Sequence, residues 1–139
     1  MVQREAVEGH YFRGVLEGLA SGRAIGVRAG LPAEILVHSN EIWTLEAAYL
    51  GTAILNLMTV VSPQRIVLGG GVMKQPFLLD LVRKEVATRC GGYFDLWYSW
   101  SEMESIVVGP DLGDDAGIVG AFDLARPIAA PTPNAAFCL

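Results

Sequence analysis

The chain has 139 residues, 52% of them apolar and 18% charged, and a net charge of −5 at pH 7. That length supplies one hydrophobic core, and an acidic balance without a Lys/Arg cluster excludes nucleic acid or an anionic membrane as the main partner. Cys90 and Cys138 stand far apart, which argues against a disulfide framework or a Cys-rich metal site and for reduced thiols in the cytoplasm.

Residues 1 to 14 read as irregular or extended, with no apolar core of a secretion signal. Leu16 to Arg28 reads as one helix, with Leu16, Leu19, Ala20, Ala24 and Val27 on one face. Gly18, Gly22 and Gly26 lie four apart on one side of it. Each weakens the helix by about 1 kcal/mol relative to Ala, so they signal either a close approach or simply a poor helix. Gly30-Leu31-Pro32 closes the unit, and Asn40 is the expected N-cap of the next helix.

That next helix is the clearest in the chain. Trp43, Ala47, Leu50, Ile54, Leu57, Met58 and Val61 recur at three- and four-residue steps. Its other side, Ala48, Gly51, Thr52, Leu55 and Thr59, is also small or apolar. This predicts a core helix packed against more than one neighbour rather than a membrane span. Ser62-Pro63 ends it.

Ile66 to Leu68 reads as a buried strand that empties into Gly69-Gly70-Gly71. Three glycines in a row add nothing to packing, and they suit a tight turn or a backbone that touches a ligand. At the carboxyl end of a strand in an α/β fold, that ligand is commonly a nucleotide. Gln75 to Ala87 is an amphipathic helix with Phe77, Leu78, Leu81, Val82 and Val86 inward and Asp80 and Lys84 paired on the solvent face. Gly91-Gly92 stops it. Tyr93 to Glu104 reads as a loop or a short strand. Its large aromatics (Phe94, Trp97, Tyr98, Trp100) exceed what a free loop needs, and they predict contact with a sheet or a partner, a dimer face among the readings. Ser105 to Val108 reads as a second buried strand. Asp114 or Asp115 caps a final helix, Ala116 to Ala125, and a Pro/Ala-rich tail follows. Strands alternating with helices predict an α/β fold with parallel pairing, although two or three strands are few for such a domain.

Three segments carry a family resemblance. Leu16-Glu17-Gly18-Leu19-Ala20-Ser21-Gly22-Arg23-Ala24-Ile25 resembles the Cys-Leu-Glu-Gly-Leu-Ala-Ser-Gly-Pro-Ala-Ile segment of bacterial fructokinases in the ROK family of sugar kinases. Ile66 to Met73 is similar to that family's adenosine-side glycine loop, and Leu112 to Ala121 to its closing Gly-Asp-x-Ala-Gly-x-x-Gly-Ala helix. Order and spacing agree as well. The resemblance implies a fold like actin and hexokinase, with two lobes of ribonuclease H-like topology around a cleft. Residues 15–126 look like the C-terminal lobe, residues 1–14 like what is left of a zinc loop, and 127–139 like a flexible tail.

The same resemblance implies ATP with Mg²⁺ as cosubstrate and a hexose, most readily fructose, as acceptor. It places Gly22, Arg23, Gly69, Gly70, Gly71, Val72 and Met73 at ATP and Glu17 at the sugar. The residue-level alternatives are a solvated Glu17 on a weak helix and a Met73 that belongs to the core. Arg23 stands where relatives have a Pro that touches nucleotide. The family's structural zinc is not expected here. Val15 occupies the place of a ligating Cys, and His10 alone cannot build a tetrahedral site. The Asn-Asp motif with the catalytic base and the phosphate loop of the amino-terminal lobe are absent from these residues, so no catalytic residue is assigned. A separate amino-terminal lobe and a homodimer are the implied partners. The rival reading is a binding or interaction domain that keeps the scaffold without the chemistry.

Overall fold

The computed structural model describes residues 15–38, 41–93 and 100–129. The chain divides into two compact units, one ending at Gly109 and the other beginning at Pro110. In the first unit, α1 (Leu16–Leu19) and α2 (Gly22–Ala29) precede the long α3 (Ile42–Val61). The short strand β1 (Ile66–Val67), α4 (Leu78–Cys90), α5 (Trp100–Ile106) and β2 (Val107–Val108) follow. The second unit holds α6 (Ala116–Ala129), entered through a 3₁₀ turn at Gly113–Asp115.

The core forms where α3 and α4 pack along each other. Trp43, Ala47, Ile54 and Met58 of α3 and Leu78, Val82 and Val86 of α4 are buried, joined by Ile25, Met103, Ile106 and Val107. Steps of three and four residues on α3, and of four on α4, place these side chains on one stripe of each helix. The crossing is close at Gly51. A Cβ there would stand 2.8 Å from Glu85 Cβ and 3.4 Å from the Val86 amide nitrogen. Gly51 is thus part of the buried stripe, not of the opposite side where the sequence pattern puts it. α3 also touches α1 and α2, as expected of a helix with more than one neighbour. Only one face is covered, however: Thr52, Asn56, Leu57, Thr59, Val60 and Val61 are exposed. Leu57 and Val61 therefore leave the predicted apolar face. α3 is the one helix among the described residues long and apolar enough to cross a membrane.

The two strands pair in parallel, Ile66 with Val107 and Val67 with Val108, and the Leu68 amide extends the ladder to the Val108 carbonyl at 2.8 Å. The predicted parallel pairing holds. The strands are shorter than predicted, and β1 is not buried, since Val67 is 58% exposed.

Several other expectations change. The helix predicted over Leu16–Arg28 is two helices, because the Ser21 hydroxyl accepts the Ala24 amide at 3.2 Å and caps α2. A serine side chain that competes for a backbone amide favours a helix start over a helix interior. Leu16 and Val27 consequently lie exposed, while Ala24 and Ile25 are buried. Asn40, the predicted cap of α3, lies outside the described residues; Glu41 holds the N-cap position, with no side-chain capping bond. α3 ends as expected, with Ser62 left-handed (φ 48°) before Pro63. α4 runs three residues later than predicted and ends at a left-handed Gly91.

On the solvent side of α4, Asp80 pairs with Arg83 at 3.0 Å rather than with Lys84. Arg83 also donates from Nε to the Val107 carbonyl at 2.9 Å and from Nη2 to the Glu104 carbonyl at 3.2 Å. One guanidinium thereby ties α4 to the end of α5 and to β2.

The predicted loop or strand at 93–104, and the first two residues of the strand predicted at 105–108, are helical from Trp100 on. Met103 and Ile106, three apart, turn onto the core, and the Ser105 hydroxyl bonds back to the Glu102 carbonyl at 2.7 Å. Burial of that i, i+3 pair outweighs the β-branched run that suggested a strand. Phe94, Trp97 and Tyr98 lie outside the described residues. In the second unit, Asp114 and Asp115 sit inside the 3₁₀ turn, and α6 continues past the predicted Ala125. It exposes Ile118, Phe122 and Leu124.

Candidate functional site

A cleft of about 320 Å³ opens in the first unit, lined by Gly22, Ala33, Glu34, Trp43, Gly71, Val72, Lys74 and Gln75. This volume is at the small end of the range for ligand clefts, roughly 300–1,000 Å³. The serine cap at Ser21 makes Gly22 the first residue of α2, so the helix starts at the cleft. A Cβ on Gly22 would lie 3.9 Å from Val72 Cγ2, so the helix start and the turn after β1 close upon each other.

That turn is built by the glycine run. Gly70 takes φ +96°, which L side chains rarely adopt. The Met73, Lys74 and Gln75 amides then bond back to the Gly70, Gly71 and Val72 carbonyls at 3.1, 3.3 and 3.4 Å. The tight-turn reading of the glycines therefore holds for Gly70. Gly71 differs: its backbone is ordinary helical, φ −59°, and a Cβ there would meet nothing within 4 Å. The fold does not require glycine at 71, and the residue borders the cleft.

Trp43 forms the floor. It is 1% exposed, its indole Nε1 donates to the Val37 carbonyl at 3.1 Å, and its ring meets Phe77 edge-on at 5.5 Å. Phe77 in turn stacks on His38 at 3.8 Å. Glu34 and Lys74 place one charge of each sign at the cleft. Together these groups offer bare backbone at two glycines, an amide side chain and both charges, above a buried Trp43. That combination suits a small, polar-edged ligand.

Of the residues singled out from the sequence, Gly22, Gly71 and Val72 come together at this cleft. Gly69, Gly70, Arg23, Met73 and Glu17 are not among its lining residues. Met73 packs against the core, and Arg23 and Glu17 are exposed. His10 lies outside the described residues. Among the described residues, no group of three or more His, Cys, Asp or Glu side chains is placed to hold a metal ion.

The sequence reading missed Ala33, Glu34, Lys74 and Gln75, and took Trp43 for core alone. It also missed a buried charged pair whose Glu46 lies one turn along α3 from Trp43. Glu46 is fully buried, and its Oε2 accepts from Arg28 Nη2 at 3.2 Å. Burial pushes its carboxyl up from the ordinary 4.5 to about 7, against the opposing pull of Arg28. A signal was present: Glu46 falls on the apolar stripe one turn after Trp43, and a carboxylate at a core position calls for a partner.

The ROK family matches residues 11–128. A fructokinase of Zymomonas mobilis is 40% identical over 121 residues, covering 83% of this chain and 38% of that protein. A fructokinase of Streptococcus mutans is 31% identical over 121 residues, 86% of this chain and 40% of that protein. A beta-glucoside kinase of Klebsiella pneumoniae is 33% identical over 72 residues, 52% and 20% of the two chains. The chain spans about two fifths of the length of the two fructokinases.

Proposed function

The chain belongs to the ROK family of sugar kinases, and on that premise we propose that it is the nucleotide-side part of an ATP-dependent, fructokinase-like enzyme. The family implies an actin/hexokinase-like fold, and the helix-rich α/β architecture with a parallel strand pair fits it. In this reading residues 15–126 are its C-terminal lobe.

One observation carries the proposal. The cleft unites Gly22 and Gly71, which belong to two separate sequence motifs, and Gly71 has no conformational reason to be glycine. A base and ribose would lie over the bare backbone of Gly71 and Val72, on the Trp43 side of the cleft. Arg23, Gly69, Gly70 and Met73 would border the rest of the nucleotide, with Mg²⁺ arriving on its phosphates. Glu17 would accept hydroxyl hydrogen bonds from the sugar, with fructose the first candidate.

Phosphoryl transfer needs a base to take the proton of the attacking hydroxyl and donors to neutralise the phosphates. These 139 residues offer no base of the family's Asn-Asp type. By themselves they would bind nucleotide without phosphorylating sugar, and a separate amino-terminal lobe would supply the rest.

The test is isothermal titration with ATP–Mg²⁺, after circular dichroism establishes that the chain is folded. The chain should bind saturably. Gly71→Val should weaken binding by at least about tenfold, since a misplaced ligand loses its aligned contacts, while its melting temperature stays unchanged. No binding by the folded chain, or full binding by the variant, refutes the nucleotide assignment. Fructose 6-phosphate formed above blank in a single-turnover assay would refute the claim of incapacity.

A further inference from the structure

We infer that the buried Arg28–Glu46 pair is a positioning element of the cleft, fixing the separation of its Gly22 wall from its Trp43 floor. The two helices concerned carry one wall residue and one pair member each. α2 starts at Gly22 and bears Arg28 in its last turn; α3 bears Trp43 and, one turn on, Glu46. A charged contact of 3.2 Å between Arg28 Nη2 and Glu46 Oε2 links them, with the side chains 10% and 0% exposed.

The pair is a poor stabiliser. Glu46 Oε1 and the Nε and Nη1 of Arg28 are buried with no hydrogen-bond partner among the described residues. Apolar residues of similar volume often replace such a pair without loss of stability. What an ion pair adds over apolar packing is direction, and here that direction runs from the helix that carries Gly22 to the helix that carries Trp43. The guanidinium is further held over the Tyr49 ring, 5.4 Å from its centroid, on the next turn of α3. It thus engages two successive turns of α3, at Glu46 and at Tyr49.

The functional consequence rests on the nucleotide reading above; the geometric claim does not, and the experiment separates them. The variants are Arg28→Met with Glu46→Leu, and Glu46→Gln as an isosteric single change. Three quantities are compared with the wild-type chain at pH 8: the melting temperature, the position and solvent exchange of the assigned Trp43 indole N–H by nuclear magnetic resonance, and ATP–Mg²⁺ affinity. The double variant should melt no lower than wild type. Even so, its Trp43 indole should shift and exchange at least about tenfold faster, and ATP–Mg²⁺ should bind about tenfold more weakly.

An unmoved indole with unchanged affinity overturns the proposal, as does an affinity loss that merely tracks a loss of stability. If the double variant fails to fold, Glu46→Gln decides by the same readouts. If the folded wild type binds no ATP, the nucleotide reading falls, and the Trp43 indole alone decides whether the pair positions the cleft.

Discussion

Glu46→Gln should abolish the pH dependence that this carboxyl imposes on the fold. Glu46 is fully buried, and its carboxyl titrates near 7 instead of 4.5 because burial disfavours the anion more than Arg28 favours it. The folded state therefore holds the proton more tightly than the unfolded chain. Stability is fully present below pH 4.5, falls as pH rises to about 7, and is level above that. Raising the titration from 4.5 to about 7 corresponds to about 3 kcal/mol, at 1.36 kcal/mol per pH unit. Glutamine keeps the shape and does not titrate, and all other ionisable groups are common to both proteins. Urea unfolding followed by circular dichroism at pH 5, 6, 7 and 8 should show similar stabilities at pH 5. The variant should gain roughly 2–3 kcal/mol over wild type by pH 8. Parallel pH profiles would refute the reasoning, because they would mean that the Glu46 proton is held equally in both states.

Two other substitutions probe the packing. Gly51→Ala should lower stability by about 1–2 kcal/mol: the contact with Glu85 costs more than the roughly 1 kcal/mol of helix propensity that alanine returns. Thermal unfolding measures this, and an unchanged or raised melting temperature would show that α3 and α4 separate freely. Arg83→Met should cost about 2–3 kcal/mol, the strength of charged hydrogen bonds to the two carbonyls it abandons. Asp80→Asn should change stability by less than about 1 kcal/mol, since an exposed carboxylate in an ion pair contributes little. Equal effects from the two, read by urea unfolding, would mean that the Arg83 contacts to Val107 and Glu104 do not hold α5 and β2.

Much of this chain was legible from residue order alone. The stripes of α3 and α4, the stop at Ser62-Pro63 and the stop at Gly91 all follow from local chemistry; the parallel pairing of the two strands was legible from the alternation of strands and helices. Apolar periodicity, proline sterics and glycine's access to positive φ act within a few residues, and a sequence displays them directly. The three motifs that resemble the ROK family were legible for the same reason, each being contiguous.

What escaped depends on residues far apart in the chain. Nothing near Gly51 announces Glu85, and nothing near Arg83 announces the carbonyls of Glu104 and Val107. The break at Ser21 arose because a serine cap and a continuing helix are both locally acceptable. α5 formed because Met103 and Ile106 had a core to turn onto. The cleft is the sharpest case. The glycine run shows in the sequence that backbone is bare near residue 70, but only folding sets Gly22 of α2 and Trp43 of α3 against it. Residue order determined the turns and the apolar faces, because those are set by short-range sterics and hydrophobic period. The tertiary structure alone decided which faces meet and which charges are buried, because long-range contacts depend on the packing of the whole unit.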